Sequence, residues 1–282
     1  MSNIIDAIIN LVNNPINRLT EYYHGRNRAN NAGAALEEYV KDLFANSFSL
    51  TEEDRLKRIS KTFSYLGNNS NPPDAMLKNG DAIEVKKIES FGSAIALNSS
   101  YPKHTVNSNS PMISKACKEA EVWSEKDIIY IIGIVEKGSN QLRQICMVYG
   151  CDYCASEECY SSLKLRVKSS VESIPDIDFT ESKELGHINR VDPLGITYMR
   201  VRGMWGIENP LKVFNYVYKR NTEKDLSLMC IINDDKWNSF DNTDKLNELS
   251  STTPNLRIDR ISIKNPDNPA KLVSARLIKF EK

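Results

Sequence analysis

The chain has 282 residues, 40% hydrophobic and 26% charged, the make-up of a globular protein large enough to bury its own core. Its 37 Lys and Arg balance 37 Asp and Glu, which excludes a protein whose whole surface is basic, though not one with local positive patches. No run approaches the roughly 18 apolar residues of a membrane span, and six cysteines without an export signal read as reduced thiols, so the expected location is the cytoplasm.

Ile4 to Val12 predicts a short helix. Asn13 to Asn31, with six Asn and three Arg (Arg18, Arg26 and Arg28), reads as a polar, basic connector with a short helical piece. Leu36, Val40, Leu43 and Phe44 recur at helical spacing, so Gly33 to Phe44 reads as an amphipathic helix. Thr51 with Asp54 opens another helix through a variant capping box. Phe63 to Gly67 reads as a strand, followed by a turn-rich run from Asn68 to Pro73. Asp74 to Leu77 and Ala82 to Ile88 read as a hairpin, because Asn79-Gly80 between two apolar runs is a strong turn signal.

Further on, the pattern predicts a strand at Ser93 to Leu97, a long polar loop over Asn98 to Pro111 and a helix over Met112 to Trp123. Asp127 to Val135 and Leu142 to Tyr149 are apolar and β-branched enough for central, buried strands. After Cys151 the pattern weakens to a helix near Ser156 to Ser170 and strands around Thr197 to Arg202, Leu226 to Ile232, Leu256 to Ile263 and Leu272 to Ile278. No repeat or linker interrupts it. The expected architecture is α/β, a mixed sheet flanked by helices, in a single domain over 1–282. Its catalytic core covers about 31–150 and an elaborated C-terminal half about 151–282.

The chemical signal is Asp74, nine residues, then Glu84-Val85-Lys86. Side chains alternate along a strand, so Glu84 and Lys86 share one face while Ile83 and Val85 take the other. A hairpin partner brings Asp74 beside Glu84. Two carboxylates suit Mg²⁺, a hard cation that prefers oxygen ligands, and a lysine beside them suits phosphodiester hydrolysis. By spacing alone, a solvated hairpin face carrying charges explains the same residues. Glu37, on the preceding helix, is the candidate extra carboxylate and metal ligand; its alternative is an ordinary exposed helix glutamate. Glu38 lies a further step of roughly 100° around that helix.

Helix, then a hairpin bearing acid and acid-x-lysine, resembles the PD-(D/E)XK nuclease core. The runs Phe63-Ser-Tyr-Leu-Gly-Asn-Asn-Ser-Asn-Pro-Pro-Asp-Ala-Met-Leu77, Asn79-Gly-Asp-Ala-Ile-Glu-Val-Lys-Lys-Ile-Glu89, Arg200-Val-Arg-Gly-Met-Trp-Gly-Ile-Glu-Asn-Pro210 and Ile232-Asn-Asp-Asp-Lys-Trp-Asn238 resemble the NgoPII family of type II restriction endonucleases. The resemblance runs from the N-terminus to at least Asn238. It implies a bacterial enzyme that cuts double-stranded DNA at the palindrome GGCC with Mg²⁺. It also implies a methyltransferase that protects the host's own sites. A palindrome is most simply read by a homodimer.

Arg200 and Arg202, two apart on a strand, are candidates for guanine, whose O6 and N7 an arginine fork matches; a strand face paired with acids is the alternative. Lys103 and His104 in the Asn98 to Pro111 loop suit phosphate and base contacts, unless that loop is an ordinary surface loop. Asn209 follows in a glycine-flanked loop with Trp205, which reads as core. Cys151, Cys154 and Cys159, with Cys146 as a possible fourth, have partly zinc-like spacing but read as free, buried thiols. Three rival readings stay open: a repair or recombination nuclease on the same core, a DNA-binding module without catalysis, and a zinc-containing interaction protein.

Overall fold

The computed structural model describes residues 2–23, 31–68, 71–182 and 184–282. His24, Arg26 and Arg28 of the basic connector, and Asn69 and Ser70 of the expected turn, lie outside these residues.

A mixed sheet dominates the molecule. Its strands lie side by side in the order Phe63–Asn68, Asn71–Leu77, Ala82–Ile88, Glu125–Val135, Leu142–Tyr149, Ser227–Asn233, Leu272–Glu281 and Leu256–Lys264. The first three are antiparallel neighbours. Ala82–Ile88 then runs parallel to Glu125–Val135, and Leu142–Tyr149 parallel to Ser227–Asn233. The sheet therefore draws strands from both halves of the chain, in the expected α/β class.

The central strands read as near-continuous apolar runs because both faces are covered. Ile129, Ile131 and Met147 enter one core, beneath helices Ile4–Asn13, Ala32–Ala45 and Thr243–Thr252. Their neighbours Tyr130, Ile132, Cys146 and Val148 enter the other, against Tyr153, Phe214 and Tyr218. Among the described residues no helix is long and apolar enough to cross a membrane.

Side-chain oxygens start the helices. Asn3 and Asp6 form a reciprocal capping box, Asn31 accepts from the Gly33 and Ala34 amides, and Thr51 accepts from Asp54 N–H. The helices Ala32–Ala45 and Glu52–Thr62 are joined by a buried ionic cluster. Arg55, 1% exposed, donates from Nε to Asp42 at 2.7 Å and from Nη2 to Glu38 at 2.6 Å. Tyr23 and Ser47 hydroxyls complete the shell of Asp42, each at 2.6 Å. Glu38 is thus committed to Arg55 and to Lys41.

Three expectations need correction. The helix expected over Met112 to Trp123 shrinks to Lys115–Lys118. Ser114 caps it, but Val122 is fully exposed and Glu121 turns away to Lys126 at 2.5 Å, so no second helical turn has a face to bury. The polar run Asn98 to Pro111 contains a strand, Thr105–Asn107, paired with Glu125–Asp127, and buries Tyr101 and Lys103. Pro72 and Pro73, expected in a turn, already belong to the Asn71–Leu77 strand.

Candidate active site

The hairpin register pairs Ala75 with Ile83 and Met76 with Ala82. One rung further out, Asp74 stands across from Glu84. Asp74 Oδ2 accepts the Val85 amide at 2.7 Å, which ties the acid to the neighbouring strand. Lys86 Nζ lies 2.5 Å from Glu84 Oε1 and 3.5 Å from Asp74 Oδ2. Ile83 and Val85 face the helix-side core, so both acids and the lysine emerge on the opposite face.

The turn between the strands is held as well. Asn79 takes the left-handed conformation at φ 52, which asparagine tolerates. Lys126 Nζ donates to the Gly80 carbonyl at 2.5 Å and to the Leu77 carbonyl at 3.4 Å.

Glu84 is 7% exposed, and among the described residues its buried Oε2 has no hydrogen-bond partner. Burial first, then the charge of Asp74, push its carboxyl up to about 7. Lys86 is raised as well. Burial works to lower it, but Glu84 and Asp74 outweigh that and hold the ammonium charged. A buried carboxylate oxygen with nothing to accept from is the kind of donor a hard cation satisfies.

Glu37 approaches from the other layer. It is exposed on helix Ala32–Ala45, whose neighbour Leu36 seats over Gly133; a Cβ on Gly133 would stand 2.5 Å from Leu36. Partial desolvation and then the charge of Asp74 raise its pKa. Among the described residues, no three acidic, histidine or cysteine side chains converge as a ready-made metal cage. Asp74 and Glu84 are therefore the two carboxylates that could hold a cation, with Glu37 close enough to feel the charge of Asp74, and so sparse a set fits Mg²⁺, which keeps several of its waters.

The acids open into a cleft of about 580 Å³, lined also by Lys86, Lys103, Tyr130, Glu184, Arg200 and Arg202. Tyr130 is the register partner of Glu84 on the adjacent parallel strand. Its hydroxyl accepts the Lys103 amide at 2.7 Å, which fixes Lys103 beside the acids. Gly150 makes room for this segment, since a Cβ there would stand 2.4 Å from the Lys103 and His104 carbonyls. Lys103 is 6% exposed, with its Nζ 3.6 Å from the centre of the Tyr101 ring. Burial lowers its pKa to about 8, against the opposing pull of Glu157.

Arg200 and Arg202 come from the far half of the chain. Arg200 lies in strand Met199–Val201, paired with Gly186–Asn189, and Arg202 follows it. Both line the cleft, and both are ion-paired with Glu184, at 2.7 Å and 3.0 Å. The acidic pairing weighed from the sequence is thus present, on arginines that also line the cleft.

Other singled-out residues sit elsewhere. His104 is half-buried, its ring Nδ1 3.1 Å from the Cys154 carbonyl. Asn209 is fully buried; its amide donates to the Phe91 and Ser93 carbonyls and its oxygen caps helix Pro210–Val213. That side chain is committed to the frame and is not offered to the cleft. Trp205 is half-buried, edge-on to Tyr101 and Tyr160. Cys146 and Cys154 are buried, Cys151 is half-buried and Cys159 is exposed, all as free thiols.

Sequence reasoning did not reach Glu184, Tyr130 or Gly67. Only Gly67 carried a local signal, a glycine inside a strand, which often marks a close approach of backbones.

A family model described as NgoPII restriction endonuclease matches residues 2–264. The type II restriction enzyme NgoPII of Neisseria gonorrhoeae is 61% identical over 278 residues, covering 99% of each chain. No solved structure matches the chain.

Proposed function

The chain belongs to the NgoPII restriction endonuclease family, a type II restriction enzyme by its relationship, and from that premise we propose that it hydrolyses double-stranded DNA at GGCC with Mg²⁺. The observation that supports the chemistry is the unpartnered, buried Oε2 of Glu84 beside Asp74 and Lys86. Asp74 and Glu84 would hold the cation, with Glu37 as the candidate further carboxylate, directly or through water. When bound, Mg²⁺ polarises the phosphate and lowers the pKa of a bound water.

The protein's own groups supply the rest. Lys86, kept charged between two carboxylates, orients the attacking water and offsets charge that builds on the phosphorane. Lys103, which lines the same cleft as Glu84, supplies a contact to a phosphate oxygen, and His104 supports its loop near the backbone of the DNA. Arg200 and Arg202 read guanine across the cleft. Asn209 was a candidate contact; its buried hydrogen bonds support a positioning role for the Phe91–Ser93 turn instead.

In this reading residues 1–282 form one endonuclease domain with its catalytic core at about 31–150. The C-terminal half supplies sequence readout and the contacts of a homodimer. Two copies would present two active sites to the two strands of the palindrome. The enzyme acts in the cytoplasm alongside a methyltransferase that marks the host's own GGCC sites.

Digestion of a plasmid of known sequence tests this. Discrete fragments ending at GGCC, formed with Mg²⁺ and abolished by excess chelator, are expected. A smear, cutting at another site, or cleavage that persists in chelator would overturn it.

A further inference from the structure

Glu184 belongs to no motif, yet both cleft arginines lean on it. Its Oε2 stands 2.7 Å from Arg200 Nε and its Oε1 3.0 Å from Arg202 Nε. Ser99 Oγ donates to Oε1 at 3.0 Å and accepts from Arg202 Nη2 at 3.0 Å. The acid's side chain is only 13% exposed, while those of Arg200 and Arg202 are 52% and 44% exposed. Burial works to raise its carboxyl, but bonds from Arg200 and Ser99 and the charges of both arginines hold it below the usual range.

One ionised carboxylate therefore grips two guanidiniums by their inner nitrogens, from beneath. Among the described residues, the Nη nitrogens of Arg200 and the Nη1 of Arg202 donate no hydrogen bond to the protein. Those outer nitrogens are the ones left for a fork on guanine O6 and N7. A long arginine fixed in advance loses less side-chain freedom on binding. The same negative charge offsets one of the two guanidinium charges, so the pair draws a phosphate backbone of any sequence less strongly than two unpaired arginines would. A contact kept for the right base beside a weakened general attraction is how discrimination is built.

We propose that Glu184 is a positioning residue for base readout: it fixes Arg200 and Arg202 for guanine and weakens attachment to DNA that lacks guanine there. The inference rests on the restriction-enzyme reading above and assigns a residue within it.

Affinity of the full chain, measured with Ca²⁺ for a GGCC duplex and for duplexes with one G·C pair changed to A·T, tests it. Glu184→Ala is expected to bind GGCC about tenfold more weakly and the changed duplexes more tightly than wild type does. Glu184→Gln, which keeps the shape and one acceptor oxygen, should fall between. On an Arg200→Ala, Arg202→Ala background, Glu184→Ala should alter discrimination no further. A merely structural role would weaken all duplexes alike. That outcome in both Glu184 variants, or an unchanged preference for GGCC, overturns the proposal. A wild-type chain with no preference for GGCC refutes the underlying reading, and the proposal with it.

Discussion

Gly67 lies so close to Asp74 that a Cβ on it would stand 2.6 Å from the Asp74 carbonyl oxygen and 2.8 Å from its Cα. The two residues are on adjacent strands, where the ladder is irregular between Leu66 and Asn68. The obstacle is backbone, which has no rotamer with which to escape. Gly67→Ala must therefore push the strand that carries Asp74 away from its neighbour. The expected cost is about 1–3 kcal/mol of stability, as for other overpacked sites, with a larger fall in cleavage because the acid moves. Thermal unfolding and plasmid cleavage on the same sample check this. Gly92→Ala, with nothing within 4 Å of its Cβ, is the control. Normal cleavage by Gly67→Ala would show that Asp74 tolerates displacement.

The role proposed for Lys86 lies in the reaction more than in the hold on DNA. Lys86→Ala is expected to slow cleavage on the order of 100- to 1000-fold, the range for loss of one charge-stabilising donor. Affinity for GGCC with Ca²⁺ should change little. Single-turnover cleavage and binding, measured side by side, separate the two. Near-normal cleavage would remove Lys86 from the mechanism and direct attention to Lys87.

As the proposed metal ligand, Glu84 should give the reaction a pH dependence tied to the metal. Its carboxyl, raised to about 7 by burial and Asp74, still carries a proton where most glutamates do not. A cation binds the ionised form, so proton and cation compete for the site. At low Mg²⁺, cleavage should rise as pH passes through about 7, and more Mg²⁺ should move that rise to lower pH. Rates at several Mg²⁺ concentrations across pH 5.5 to about 8.5 test the linkage. A profile that ignores Mg²⁺ would show that Glu84 does not hold it.

Arg55 is a test of the scaffold. It is 1% exposed and serves two acids, of which Asp42 is fully buried. Arg55→Ala leaves the fully buried Asp42 without its cation and Glu38 with Lys41 alone, a change expected to cost about 3–5 kcal/mol. The helix Ala32–Ala45 carries Glu37, so activity should fall with stability. Denaturant unfolding measures the first directly. A loss below about 1 kcal/mol would mean that water takes over the role of the guanidinium.

How much of this was legible in the sequence follows from the range of the forces involved. The hairpin placing Asp74 across from Glu84 and Lys86 was readable because alternation and an Asn-Gly turn are local. Glu38's exclusion from the site followed from helical phase. The helix expected over Met112 to Trp123 failed because its polar residues found partners outside the helix, such as Glu121, which accepts the distant Asn79 amide at 3.1 Å. The burial of Lys103 depends on Tyr130 and Gly150, residues far along the chain with no shared pattern. Glu184 was invisible for the same reason: its role exists only once Ser99, Arg200 and Arg202 have been folded around it.

Lys103 supplies the sharpest pH test on the DNA side. Burial lowers its ammonium to about 8. Only the charged form attracts phosphate, so affinity for DNA should weaken as pH rises through about 8. Bound phosphate favours the ammonium in turn, so the complex should lose its proton at higher pH than the free protein. Lys103→Met keeps the aliphatic packing against Tyr101 and removes the charge. It should bind more weakly at pH 7, by about 10- to 100-fold for loss of a charged hydrogen bond, and should show no weakening between pH 7 and about 9. Its affinity should also depend less on salt, by about one phosphate's worth of released counterion. Lys103→Arg, charged throughout, should recover binding at high pH if the longer fork fits beneath the ring. Anisotropy titrations at three pH values and two salt concentrations resolve these arms. A Lys103→Met variant that keeps both the pH dependence and the salt slope of wild type would place the phosphate contact on another residue of the cleft.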